Sequence, residues 1–413
     1  MASTNLGKIA DIITGPFGSM LHKSDYKEVG TPVIMPQDIG DRTLSLESIA
    51  RIGNEDVARL ARYATIENDI VYARRGDVEK HAYITNEQAG ALCGTGCLRV
   101  RVNEQLADPL FVSFYLNRPE SRTWIRLHAV GSNMPNINTD ILSELPLELP
   151  ELDTQRQVGN LLRCIDNTIA NNKKLMMELE STARLIYDYW FTQFDFPDEN
   201  GRPYRSSGGK MVWSNELKCE IPNGWKVVNL YGIADYINGL ACQNHRPKGA
   251  DKGLPVIKIR EMHDGITEGT ERVSSQIPAR NIIEDGDMLF AWSASLEVQY
   301  WNGGTAGLNQ HIFKVIPKVG IPSEYVYQQL AQYLVIFKRM AEVRKTTMGH
   351  ITSDHLDQSR IVLPPQDVLQ MFDDATRDVR KSIVQLGQQI RELILLRDWL
   401  LPMLMNGQIT IEG

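Results

Sequence analysis

Apolar residues recur in alternating steps of four and three along two stretches of this chain. In the first, Val158, Leu162, Ile165, Ile169, Asn172, Met176, Leu179, Ala183, Ile186 and Trp190 form one seam. In the second, from Phe372 onward, Val379, Ile383, Leu386, Ile390, Leu393, Leu400 and Leu404 keep the same frame, with Thr376 and Arg397 as polar exceptions. This is the heptad spacing of helices that pair with one another. A helix from Gln155 to Phe191 would span about 55 Å at the usual rise per residue. Asn172 on such a seam costs stability and fixes register. Thr154 with Gln157, and Asp367 with Gln370, predict capping boxes at the two helix starts. Pro150 and Pro364-Pro365 stop the preceding strands, and Pro402 marks the end or a kink of the second helix.

Ahead of each seam the pattern changes to short apolar runs bounded by Gly, Pro and Asp. These predict strands in "TPVIM", "DIVYA" and "CLRVRV", then in "LPVIKI", "DMLFAW" and "IFKVI". Helical patterns follow in "LFVSFYLNRPESRTWIRLHA" and in "SEYVYQQLAQYLVIFKRMAEV". Short motifs return in the same order. "IADIITG" from Ile9 matches "IADYING" from Ile233, "GTPVI" from Gly30 matches "GLPVI" from Gly253, and "NDIVYA" from Asn68 matches "GDMLFA" from Gly286. "SNMPNINTDILSELPLELP" from Ser132 pairs with "TTMGHITSDHLDQSRIVLP" from Thr346, 214 residues later. So long a period excludes a solenoid and marks two homologous domains with two homologous helices.

The expected fold is α+β: two homologous globular domains of mixed α/β character, separated by two long antiparallel coiled-coil helices in a pseudo-two-fold arrangement. The expected boundaries are 1–152 for the first domain, 153–195 for the first helix, 196–224 for a connector, 225–366 for the second domain and 367–413 for the second helix. The connector is rich in Gly, Pro and Ser, yet Phe196, Tyr204 and Trp213 interleave it, so it reads as ordered.

Length and composition add bounds. The 413 residues exceed one ordinary core. No run approaches the ~18 apolar residues of a membrane span, and the N-terminal stretch lacks the pattern of a secretory signal. Five scattered cysteines fit reduced thiols in a cytoplasm better than a disulfide framework. The net charge is −7. Residues 1–150 carry 15 Lys/Arg against 19 Asp/Glu, and residues 225–365 carry 15 against 14. Bulk charge therefore argues mildly against nucleic-acid binding by this chain alone, so such a role must rest on local patches or on partner subunits.

Catalytic signatures are missing. "SSGGKMVW" lacks the glycine spacing and the Ser/Thr of a phosphate-binding loop. "CGTGC" (Cys93 to Cys97) has no second Cys/His pair at zinc spacing and reads as two half-buried residues about a Gly turn. No Gly-x-Ser-x-Gly elbow occurs. The polar residues suited to base edges or phosphates are local ones. Arg74, Arg75 and Lys80 follow a strand, and Asn133 and Asn136 lie in the first repeated motif. The second half offers Arg246, Lys248, Lys258, Arg260, Arg344, Lys345 and His350. The two halves differ most in such loops, "RRGDVEK" against "WSASLEVQY".

Over essentially its whole length the chain resembles the specificity subunits of type I restriction-modification systems. The resemblance is carried by "GPFGS" with "GTPVIMPQDI", by "GSNMPNINTDILSELPLELPELDTQRQV", by "FTQFDFPDENGRPYRSSGGKMVW" and by "WLLPMLMNGQITI". The second repeated motif, "TTMGHITSDHL", departs from the first in its loss of glycine and asparagine. The resemblance implies two target-recognition domains, each reading half of a split, asymmetric site in double-stranded DNA, with the helices as the ruler of the unread spacer. It implies docking of two modification subunits, which supply S-adenosylmethionine and adenine methylation. Restriction/motor subunits would use ATP and Mg, leaving no cofactor, metal or catalysis to this chain. A component of a type II restriction-modification enzyme, a pseudo-symmetric protein scaffold with no DNA role, and a stand-alone methyltransferase or nuclease are the competing readings.

Overall fold

The β-branched and aromatic runs form the strands of several small sheets. The computed structural model describes residues 2–18, 20–131, 133–293, 295–343 and 353–411. The chain divides into two units, residues 1–168 with 395–413, and residues 169–394.

In the first unit Cys97–Val102 lies second in a five-stranded sheet. It is flanked by Ala10–Thr14 and Ile70–Ala73, with His81–Tyr83 and Asp41–Arg42 beyond. Register sets Leu98 opposite Thr14 and Tyr72 opposite His81. All these pairings are antiparallel except the one with the edge strand Asp41–Arg42. A second sheet is built from Tyr26–Lys27, Ala50–Ile52, Thr31–Ile34 and Leu92–Cys93, the last pair parallel. Ala2–Asn5 pairs with Pro146–Leu149, whose Leu147 and Leu149 alternate into the core, as a strand with one dry face requires. The helix Pro109–Leu116 is buried on every side. Asp108 caps it by accepting from the Phe111 N–H at 2.8 Å, and Pro109 occupies the first turn, where its missing N–H costs nothing.

The second unit repeats this plan. Ile312–Pro317 lies between Ala234–Asn238 and Met288–Ala291, followed by Glu297–Tyr300. Leu254–Ile257 runs parallel to Ala306–Leu308 in a second sheet, and Lys226–Val228 pairs with Ile361–Leu363. The shared topology explains the sequence repeat: "IADIITG", "GTPVI" and "NDIVYA" and their later counterparts are strands that occupy matching places in their sheets.

Two helices dominate the remainder, Leu152–Tyr187 with 36 residues and Gln366–Met405 with 40. The first would be about 54 Å long and ends in a π turn over Asp188–Thr192. The division between units falls inside both helices, and within each unit they pair antiparallel. In unit 2, Asn172 donates to Gln389 at 3.3 Å, whereas Phe372 meets Trp190 and Phe191 at ring distances of 5.8 and 4.9 Å. In unit 1, Val158 and Leu162 share a core with Leu401, Leu404 and Met405.

Val158, Leu162, Ile165, Ile169, Ile383, Leu386 and Ile390 are buried; Asn172, Met176, Leu179, Ile186, Val379, Leu393 and Leu400 are half-buried. Thr376, one polar exception, is fully buried because its hydroxyl donates to the Phe372 carbonyl at 2.8 Å. Pro402 sits in the last turn, whose end is closed by the Asn406 N–H on the Pro402 carbonyl.

The capping boxes are not where the motifs put them. The first helix starts at Leu152, ahead of Thr154. Its entry is held by Gln155, which donates to the Pro150 carbonyl and accepts from the Asp108 N–H. At the second start Gln370 reaches forward to Asp374. The connector is ordered: Met211–Ser214 pairs with Cys219–Pro222, Phe196 stacks on Tyr204 at 4.6 Å, and Trp225 joins the core of unit 2.

Candidate nucleic-acid interface

Strand Ile70–Ala73 is buried along its whole length and delivers the chain to Arg74 and Arg75. Backbone hydrogen bonds then join this exit to the segment from Val130 to Ile137. The Ile137 N–H donates to the Arg74 carbonyl at 3.0 Å and the Gly76 N–H to the Pro135 carbonyl at 3.1 Å. Arg75 bridges Asn136, and Val130 and Asn136 exchange N–H bonds at 2.9 Å. Gly131 turns this hairpin with φ of 107°; a side chain there would lie 2.8 Å from the Met134 carbonyl. Two groups of candidates about sixty residues apart in sequence therefore share one surface in unit 1.

On that surface Arg75 and Asn133 are exposed, while Arg74 and Asn136 are half-buried. Arg74 Nε and Asn136 Oδ1 are buried and lack a protein hydrogen-bond partner among the described residues. Other cations of this region are matched by carboxylates: Lys80 with Asp77 at 2.9 Å, Arg126 with Glu79 at 3.4 Å, and Arg122 with Asp41. Arg74 and Arg75 form no ion pair among the described residues. An exposed guanidinium beside carboxamides is the donor and acceptor set that fits purine edges and phosphates. Arg122 and Arg126, on helix Pro119–His128, were not singled out from sequence; their spacing of four on one helical face was the available signal.

Beneath the patch, His81 stacks on Tyr72 at 5.0 Å and its Nε2 lies 3.1 Å from both oxygens of Ser113. Burial above all, then Arg42 and Arg122, pushes its pKa down to about 3. The ring is a neutral part of the sheet.

In unit 2 the matching strand, Met288–Ala291, is equally buried. It leads to Trp292, which lies against His311 and Phe313 and donates to Asn238 at 3.3 Å. Arg344, Lys345 and His350 lie outside the described residues. Arg246 and Lys248 are exposed. Lys258 pairs with Glu271 at 2.8 Å and Arg260 with the buried Glu261 at 2.6 Å. The Lys258 hydrogen bond holds the Glu271 carboxyl below its ordinary range, and the charges of Arg246 and Arg260 add to it. Lys258 and Arg260 are thus already matched by carboxylates. Cys93 and Cys97 are both fully buried rather than half-buried, and burial lifts the Cys93 thiol to about 12. Among the described residues no three or more His, Cys, Asp or Glu side chains form a metal-binding group, and no helix is long and apolar enough to cross a membrane.

The family model for the type I restriction modification DNA specificity domain matches residues 3–181 and 222–374. Each match takes in one strand-rich part and enters the helix that follows it. This chain belongs to the type I restriction-modification specificity family. Among specificity subunits, MjaIX of Methanocaldococcus jannaschii is 22% identical over 290 residues, covering 68% of this chain and 65% of that relative. HindI of Haemophilus influenzae is 21% identical over 413 residues, covering 86% and 89%. The crystal structure of a type I restriction-modification S subunit from M. genitalium shares the fold at a TM-score of 0.61 and 15% identity, over 100% of this chain and 96% of that one. For a specificity subunit, two differently equipped copies of one domain are a reason to carry the domain twice.

Proposed function

We propose that each unit of this specificity subunit reads one half of a split, asymmetric site in double-stranded DNA. Unit 1 would read through Arg74, Arg75, Asn133 and Asn136. Unit 2 would read through Arg246 and Lys248, with Arg344, Lys345 and His350 kept as candidates from sequence. Lys258 and Arg260 would act at most as phosphate contacts, because carboxylates already hold them. The observation that carries this reading is the joining of the two candidate segments of unit 1 on one topology that recurs, with different loops, in unit 2.

The long helices would set the length of the unread spacer, and with the connector they would dock two modification subunits. S-adenosylmethionine, ATP and Mg would then be held by modification and restriction/motor partners in the cytoplasm, and this chain would contribute recognition without catalysis. A net charge of −7 fits a reader whose phosphate contacts are shared with such partners. The test is binding by the complex with its modification subunits. It is expected to prefer duplexes carrying both half-sites, with affinity that falls steeply with salt. Equal binding to any duplex, or no binding, would contradict the reading.

A further inference from the structure

Arg397 interrupts the apolar seam of the second helix, and DNA reading gives it no task. Its Nη1 donates to Asp166 Oδ1, on the first helix, at 3.1 Å. The other oxygen of that carboxylate takes Nη1 of Arg42. Arg42 ends the edge strand of unit 1 with φ of 59°, a conformation that non-glycine residues seldom hold. Its guanidinium lies 3.3 Å over the ring of Phe114, and its Nε donates to Ser113 Oγ at 3.1 Å. Only 10% of the Arg42 side chain is exposed. A planar fork stacked on a ring and bonded at two edges has one geometry, which a flexible lysine could not reproduce. One carboxylate in unit 1 therefore ties the globular part to both helices.

Unit 2 has a couple of the opposite sense. There the globular part supplies the carboxylate, Asp285, and the second helix supplies the donors, Arg391 at 3.1 Å and Gln388 at 3.0 Å. The Gly304 N–H fixes the same carboxylate at 2.7 Å, and Arg391 also donates to the Asn302 carbonyl.

We infer that Arg42, Asp166 and Arg397 form a positioning triad. It fixes the angle at which the first recognition domain sits on its helices, and with it the spacer length at which that domain's half-site is read. The inference rests on the reading of each unit as a half-site reader. Apolar seams hold a domain on a helix pair without direction, because burial scales with area. A guanidinium–carboxylate fork adds direction. Asp285 and Arg391 perform the same task for the second domain with the charges exchanged.

The test uses the complex with its modification subunits, carrying Asp166→Asn or Arg397→Gln. Binding is compared on duplexes that keep both half-sites while the spacer is native, one base pair longer or one base pair shorter. Wild type is expected to favour the native spacer by about tenfold, the scale of one wrong base pair. The variants are expected to lose most of that preference while still rejecting altered half-site bases. Asp166→Glu, which keeps the charge, should restore part of it, and it carries the test if Asp166→Asn does not assemble. A purely structural role would weaken binding by one common factor and leave the spacer ratio intact; that result overturns the inference alone. A wild-type complex that selects no split site overturns the functional reading together with it.

Discussion

Arg74 and Arg75 leave a wholly buried strand and, unlike Lys80, Arg122 and Arg126, face no carboxylate among the described residues. Replacing each by Ala is expected to cost about 1–3 kcal/mol at the half-site of unit 1 if it reads a base edge. Competition binding with each half-site altered in turn measures this; equal losses at both half-sites would make the pair a phosphate anchor. His81 makes a separate prediction. Its imidazole stays neutral in the fold, with a pKa near 3, but protonates in the unfolded chain below its ordinary 6.5. Stability is therefore complete above that value and falls with pH through the window beneath it, by about 2 kcal/mol at pH 5. Urea unfolding at neutral and acid pH reads this directly, and His81→Gln should flatten the dependence. An unchanged slope in the variant would refute it. These residues also set the limit of legibility. Lys258 and Arg260 are as basic in sequence as Arg75, yet one is bonded to Glu271 and the other to Glu261. Charge along a chain does not tell which cation the fold has already matched.

At the scale of elements, the long helices were readable because a heptad seam is a repeated local choice, and Thr376 and Arg397 stood out against it. Their partners were not readable. Thr376 bonds its own helix, whereas Arg397 needs a carboxylate 231 residues away. The first helix starts ahead of its capping motif because Gln155, bonded to Asp108 and Pro150, holds the entry through tertiary contacts that a local motif does not contain. Two outcomes test the elements. Phe372 is fully buried among Tyr187, Trp190, Phe191 and Tyr325. Phe372→Ala is expected to cost about 3–5 kcal/mol in urea unfolding, and a loss under about 1 kcal/mol would show that the cluster closes over the gap. Because Asn172 meets Gln389 in an antiparallel pair, lengthening the helices requires matched insertions beside both. Four residues in each would add about 6 Å, a stutter that coiled coils absorb by local unwinding. The methylated or bound site should then show a longer spacer with the same half-sites. An unchanged spacer would remove the helices as its ruler.

For the whole molecule, the fold class was legible because duplication writes the architecture twice, and the family because the connector and the passages before the helices resemble those of its members. "IADIITG" and "IADYING" become the strands Ala10–Thr14 and Ala234–Asn238 in matching sheets. What a duplicated scaffold does not encode is the target, because one fold carries many loop sets and the loops that differ are the proposed readers. Assignment of both half-sites to this one chain is the central claim, and a map of N6-methyladenine in the host's DNA tests it most directly. The map is compared between cells with the gene intact, with it deleted, and with Arg74 and Arg75 replaced by Ala. Methylation at one split motif is expected to vanish on deletion and to spread to relaxed versions of a single half-site in the variant. A map unchanged by deletion would contradict the account.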